Sequence, residues 1–211
     1  MKLAVLFDYD DTLVQTKESK FAALRAIAER HYALRLTDEA IRIHWGVPYR
    51  ELFDNLFGSV EADVARVIRL YEAANDEFPI EPYPETLRVL RRLAERVAIG
   101  IVTSAGRAIV ARQLARIGVG IEQLAVFQTA EDTPTHKPDP RVFDPALQTL
   151  AESGITRASV LYVGDSLRDF AAARDAGIDF RGVLRGTTSA LEFETARAPY
   201  MTDLEALLDL V

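Results

Sequence analysis

Five short apolar runs, each ending in polar residues or glycine, set the frame of this chain. They are Leu3–Phe7, Val97–Val102, Leu124–Phe127, Ser159–Val163 and Phe180–Leu184. Runs of this length, branched and without polar alternation, suit strands buried on both faces. Helical spacing fills the intervals at 85–95, 105–117, 141–152 and 167–176, with a last helix expected at 204–210. Strands alternating with helices across short loops predict parallel βαβ units. The fold class is therefore α/β, a Rossmann-like parallel sheet core covered by helices.

The alternation is interrupted once, directly after the first strand. From Lys17 to Phe78 the apolar positions follow helical spacing only, as in Phe21, Leu24 and Ala28, or Val64, Val67, Ile68 and Tyr71. Thr37-Asp-Glu-Ala40 reads as a capped helix start, and Gly46-Val-Pro48 and Gly58-Ser59 as breaks. About four helices and no strand are expected there. Pro79-Ile-Glu-Pro-Tyr-Pro84 is a proline-rich return. The expected division is a core of residues 1–15 and 80–211 with a helical insertion of residues 16–79.

Composition narrows the chemistry. The 211 residues carry 25 Lys+Arg against 32 Asp+Glu, a formal charge of −7. This balance argues against non-specific nucleic-acid or anionic-membrane binding, though not against a local basic pocket. With no Cys, thiolate metal sites, disulfides and cysteine nucleophiles are excluded. Three scattered histidines, His31, His44 and His136, make a histidine metal cage a poor fit. The apolar run at the N-terminus is too short for a signal-peptide core, and no stretch approaches the ~18 apolar residues of a membrane span. A cytoplasmic protein is the expectation.

In an open parallel sheet, ligands bind beyond the carboxyl ends of the strands. Those ends here carry Asp8-Tyr-Asp10-Asp11-Thr12, Thr103-Ser104, His136-Lys137-Pro138, Gly164-Asp165-Ser166-Leu167-Arg168-Asp169 and Arg185-Gly186. Several carboxylates at one rim repel each other where water is scarce. Oxygen donors without His or Cys suit a hard cation, Mg²⁺ above all, which shares its shell with substrate phosphate. Neither the G-x-x-x-x-G-K-[ST] nor the G-x-G-x-x-G phosphate loop occurs, nor does G-x-S-x-G.

The order Asp-x-Asp-x-Thr, isolated Thr, Lys-Pro and Gly-Asp-x-x-x-Asp resembles the haloacid dehalogenase superfamily, from Leu3 to about Gly186. The insertion resembles the small helical cap of its phosphoglycolate phosphatase and β-phosphoglucomutase branch. The resemblance implies Asp8 as nucleophile and Asp10 as general acid and base. It implies Thr103 and Lys137 as phosphoryl ligands. Mg²⁺ would be held by Asp8, the Asp10 carbonyl and Asp165, with Asp169 a further acid at the metal or an orienting partner of Lys137. Arg50 stands where related caps place substrate contacts, and Ser104 beside Thr103 is a further candidate substrate contact. The implied activity is a Mg²⁺-dependent phosphatase acting on a small phosphate monoester through an aspartyl-phosphate. The expected partner is that phosphorylated small molecule, with no nucleic acid and no membrane, the chain being a monomer or homodimer. A phosphomutase shares every catalytic residue, and a non-catalytic metabolite-binding member is a further alternative. Asp10 speaks against dehalogenation, which needs no leaving-oxygen acid. Lys17 and Lys20 leave phosphonate cleavage by a cap lysine open.

Two positions depart from the family pattern. Asp11 stands where Gly is usual, and Ser104 where Asn is expected. Plainer roles also exist for single residues. Asp8–Thr12 alone is a turn sequence, Thr103 or Ser104 could cap a helix, and Asp139-Pro140 reads as a helix start. Asp165 or Ser166 could cap the following helix, with Asp169 complementing its dipole. His31 and His44 are expected in the packing or surface of the insertion.

Overall fold

The computed structural model describes residues 2–45, 49–74, 76–186 and 188–211. The chain runs β1 (Ala4–Phe7), α1 (Thr16–Tyr32), α2 (Asp38–Ile43), α3 (Tyr49–Phe57), α4 (Val64–Ala73), α5 (Thr86–Ala94) and β2 (Ala98–Val102). It continues with α6 (Arg107–Arg116), β3 (Val126–Gln128), α7 (Asp144–Glu152), β4 (Val160–Gly164), α8 (Leu167–Ala176) and β5 (Asp179–Val183). The last elements are α9 (Ala190–Thr195), β6 (Tyr200–Met201) and α10 (Leu207–Leu210). The break expected at Gly46–Pro48 lies outside the described residues.

The six strands form one sheet in the order β3-β2-β1-β4-β5-β6, and every neighbouring pair is parallel. Leu6 pairs with Gly100 on one side and Tyr162 on the other. All four residues of β1 are buried, as its unbroken apolar run requires. The strand order reverses at β1: β2 and β3 lie to one side, β4 to β6 to the other. That switch is where a crevice opens beyond the carboxyl ends. Phe143, Leu150, Tyr162, Phe180 and the alanines Ala172, Ala173 and Ala176 of α8 pack into one core cluster. The small alanine face lets α8 lie close against the sheet.

The chain divides into two compact units, residues 1–15 with 82–211, and residues 16–81. The return division falls two residues beyond the expected one, where the chain first pairs with the segment ahead of the insertion. Val14 bridges Pro82, and Tyr83 N–H donates to the Leu13 carbonyl at 3.2 Å. The second unit contains α1 to α4 around its own core, with Phe53 edge-on to Tyr71 at 5.2 Å and Phe21 edge-on to Trp45 at 4.9 Å.

Several boundaries differ from the sequence expectation. The helix expected from 105 begins at Arg107, whose backbone N–H donates to the Glu131 carboxylate at 3.0 Å. The segment expected as a helix over 141–152 opens as a 3-10 turn at Pro140–Phe143 before α7. The expected last helix likewise starts with a 3-10 turn, Leu204–Ala206. Neither α9 nor the two-residue β6 was expected, since neither is long enough to show a period.

Candidate active site

The reversal in strand order puts the ends of β1, β2 and β4 side by side. Asp8 follows β1, with its N–H donating to the Val163 carbonyl at 2.8 Å. Thr103 follows β2, with its N–H donating to the Gln128 carbonyl at 3.1 Å. Its Oγ1 accepts from Ala105 N–H at 3.1 Å, so Thr103 closes the turn ahead of α6 without being its cap. A cleft of about 250 Å³ is lined by Asp8, Asp10, Asp11, Thr103, Ser104, Lys137, Asp165, Ser166, Arg168 and Asp169.

At its floor, three charged side chains form a buried chain of ion pairs. Lys137 Nζ lies 2.5 Å from Asp8 Oδ1 and 2.7 Å from Asp169 Oδ1. Asp8 and Lys137 are each only 7% exposed and Asp169 2%. Lys137 also sits 5.2 Å above the centre of the Tyr162 ring. Two carboxylates against one ammonium leave an excess of negative charge, which Asp10, Asp11 and Asp165 increase.

The titration behaviour follows from that excess. Burial raises the Asp8 carboxyl to about 7; Lys137 works against this, and Asp169 and Asp10 reinforce it. Asp165 is pushed well above the usual carboxylate range by burial and then by Asp169, Asp8 and Asp11. Burial disfavours the charge on Lys137, yet Asp169 and Asp8 outweigh it and hold the ammonium well above its ordinary pKa. Crowded, buried acids of this kind mark a functional site more often than a structural one.

Asp169 has both carboxylate oxygens engaged by the protein. Oδ1 faces Lys137 and the Tyr162 hydroxyl, the latter at 3.2 Å. Oδ2 accepts from Ser166 N–H at 3.1 Å and from its hydroxyl at 2.5 Å, a reciprocal cap on α8. Of the two roles open to it, these contacts are those an orienting partner of Lys137 would make. β4 ends in Gly164 for the same reason: a β-carbon there would lie 2.6 Å from Asp169 Cγ.

The donors left for a cation are few. Among the described residues, no group of three or more His, Asp or Glu side chains is arranged to hold a metal. The carboxylates of Asp8 and Asp165 both line the cleft and offer oxygen donors only. Both acids are disfavoured as bare anions, so this set fits a hard divalent ion that keeps several of its own waters.

The departures from the family pattern have local explanations. Asp11 adopts φ 54°, the left-handed region that glycine enters freely and Asp tolerates better than most residues. Its side chain adds a further acid to the cleft wall. Ser104 is exposed at the cleft mouth. Arg50 is exposed on α3, in the second unit.

The haloacid dehalogenase-like hydrolase family profile matches residues 5–183, most of the chain. The chain belongs to the haloacid dehalogenase-like hydrolase family. This hydrolase is 29% identical to pyrophosphatase PpaX of Bacillus velezensis, over 99% of this chain and 94% of that one. It is 27% identical to N-acetylmuramic acid 6-phosphate phosphatase of Pseudomonas aeruginosa, over 87% and 82% of the two chains. Among solved structures, it resembles a protein of Bacteroides fragilis described as a haloacid dehalogenase-like hydrolase. That match has a TM-score of 0.74 and 30% identity, and covers 98% and 100% of the two chains.

Sequence reasoning passed over several residues of the hydrolase's site. Arg168 donates through Nε to the Lys137 carbonyl at 3.2 Å and fixes the loop that carries the ammonium. Its only signal was its place inside the Gly164–Asp169 motif. Tyr162, within a strand, carried none. Ser166 was visible as a cap, but its link to Lys137 through Asp169 was not.

Proposed function

We propose that this hydrolase is a Mg²⁺-dependent phosphatase of small phosphate monoesters that works through an aspartyl-phosphate on Asp8. The observation that carries the reading is the Asp8 carboxylate, buried and paired with Lys137, in one cleft with Asp10, Thr103 and Asp165. The acids outnumber the lysine, so a phosphate group enters only when their charge is offset.

Asp8 and Asp165, with the Asp10 carbonyl, would hold the ion. When bound, Mg²⁺ supplies charge neutralisation and a template for the phosphoryl oxygens. The protein groups do the rest. The free carboxylate electron pair of Asp8 forms the bond to phosphorus while the bond to the leaving oxygen breaks. Asp10 gives its proton to that oxygen, then takes one from the water that attacks the acyl phosphate and releases Asp8. Lys137 and Thr103 hold the phosphoryl oxygens as charge shifts between them. Asp169 keeps the ammonium oriented through both steps. Arg50 of the helical insertion is the proposed contact for a further anionic group on the substrate, and Ser104 a contact near the leaving group.

The two relatives named above act, by their names, on pyrophosphate and on a sugar 6-phosphate. A shared phosphoryl end with a variable leaving group fits a common core. The test is p-nitrophenyl phosphate turnover with Mg²⁺, with chelator, and in Asp8→Asn. Turnover is expected only in the first. Turnover indifferent to chelator or to the substitution would reject the mechanism. A parallel incubation with a hexose 1-phosphate is expected to release free phosphate, and isomerisation instead would mark a phosphomutase.

A further inference from the structure

Behind Asp165 lies a loop that the proposed chemistry does not use. Arg185 follows β5, and its guanidinium reaches three other parts of the chain. Nη1 donates to the Thr12 carbonyl at 2.6 Å, at the end of the turn that carries Asp8 and Asp10. Nη2 pairs with the Glu85 carboxylate, and the guanidinium stacks 3.9 Å above the Tyr83 ring. The Arg185 and Glu85 side chains are only 6% and 13% exposed. Glu85 Oε1 also accepts from Leu204 N–H at 3.3 Å. The loop after β5 is thus bound to the turn after β1, ahead of the insertion, and to the segment that leads from the insertion into α5. A planar fork suits this task, since one side chain must serve a carbonyl, a carboxylate and a ring face together.

The next residue is Gly186. A β-carbon built there would overlap Asp165 Oδ2, lie 2.6 Å from Asp165 Cγ and lie 3.1 Å from its Cβ. With three atoms of the side chain in the way, rotating the tip alone does not relieve the overlap. The carboxylate would have to leave its place.

We propose that Arg185 and Gly186 form a positioning pair for the Asp165 carboxylate, Arg185 anchoring the loop and Gly186 leaving the space the carboxylate fills. This rests on the reading of Asp165 as an ion-holding acid. Neither residue touches the reacting atoms; both act on how well the acid is aimed. Supports of this kind typically change metal affinity by about 10–100-fold when removed.

The experiment is Mn²⁺ binding, followed by electron paramagnetic resonance of the free ion, on the full chain, with melting curves to confirm folding. Wild type is expected to bind and Asp165→Asn to lose most affinity. Gly186→Ala and Arg185→Met are expected to lose affinity by about tenfold or more, with Arg185→Lys recovering part of the loss. Should Gly186→Ala fail to fold, Arg185→Met against Arg185→Lys carries the test. Wild-type binding with unchanged affinity in the folded Gly186 and Arg185 variants overturns the positioning pair alone. A wild type that binds no Mn²⁺, or an Asp165→Asn that binds normally, overturns the ion-holding reading and the pair with it.

Discussion

Asp8–Lys137–Asp169 and Glu85–Arg185 are both buried ion clusters in the α/β unit, both at the carboxyl end of the sheet. They differ in balance. Arg185 pairs with the Glu85 carboxylate, donates to a carbonyl and lies against a ring face, and Glu85 also accepts from a backbone N–H. Lys137 meets two carboxylates, with three further acids on the same cleft wall. A balanced pair is content without a ligand and ties segments together. An unbalanced one is stable only if protons or a cation make up the difference, and that need is what a phosphatase uses.

The largest difference should appear on neutralising Asp8. Asp8→Asn is expected to lower kcat by roughly 10³ or more. The same change should raise the melting temperature of the metal-free protein at pH 8, because it removes surplus negative charge. The pH dependence has a definite sign. Asp8 titrates at about 7 in the folded protein against an ordinary 3.8, so between those values the folded state holds a proton that the unfolded state releases. Stability of the metal-free protein should therefore fall as pH rises from about 4 to about 7 and level off above. Melting curves in chelator across that range, for wild type and Asp8→Asn, measure it; an identical slope in both would remove Asp8 as the cause.

Removing the cation from the same cluster comes next. Lys137→Met is expected to lower kcat by roughly 10²-fold and cost about 3 kcal/mol at pH 8, since it leaves two buried carboxylates uncompensated. The stability loss should shrink at pH 5, where Asp8 takes up a proton; urea unfolding at both pH values reads it. In the balanced cluster, Glu85→Gln is expected to cost about 1–2 kcal/mol while kcat at saturating Mg²⁺ is nearly unchanged. A collapse of kcat there would erase the distinction between the clusters. The smallest effect should come from Ser104→Asn, which sits exposed at the cleft mouth. It should shift KM between substrates and leave kcat and melting temperature in place.

The central strands were legible because strands buried on both faces have no option but continuous apolar sequence, as in Leu3–Phe7 and Ser159–Val163. The groups that line the cleft were legible because an α/β sheet delivers them directly after those runs. Asp8, Thr103, Asp165 and Asp169 are all found this way, and Lys137 by its loop after β3. What escaped notice depends on contacts across the sequence. Arg185 is separated by 173 residues from Thr12 and by 100 from Glu85, and no local pattern records such a partner. Asp169 shows a third case. Its position was readable, while its contacts with Ser166 and Tyr162, on the capped turn and within β4, were not. Thr103 is a fourth, since Gly106, and not Thr103 or Ser104, stands at the cap of the helix that follows.

The place of β1 in the sheet has a consequence for biosynthesis. Ala4–Phe7 is made before either of its neighbours, being sandwiched between β2 and a strand that begins at Val160. Until the ribosome has delivered that later segment, one flank of an entirely apolar strand stays bare, open to sticking to other nascent chains. Asp8, at the end of that strand, is thus translated well before the segment that fixes its place.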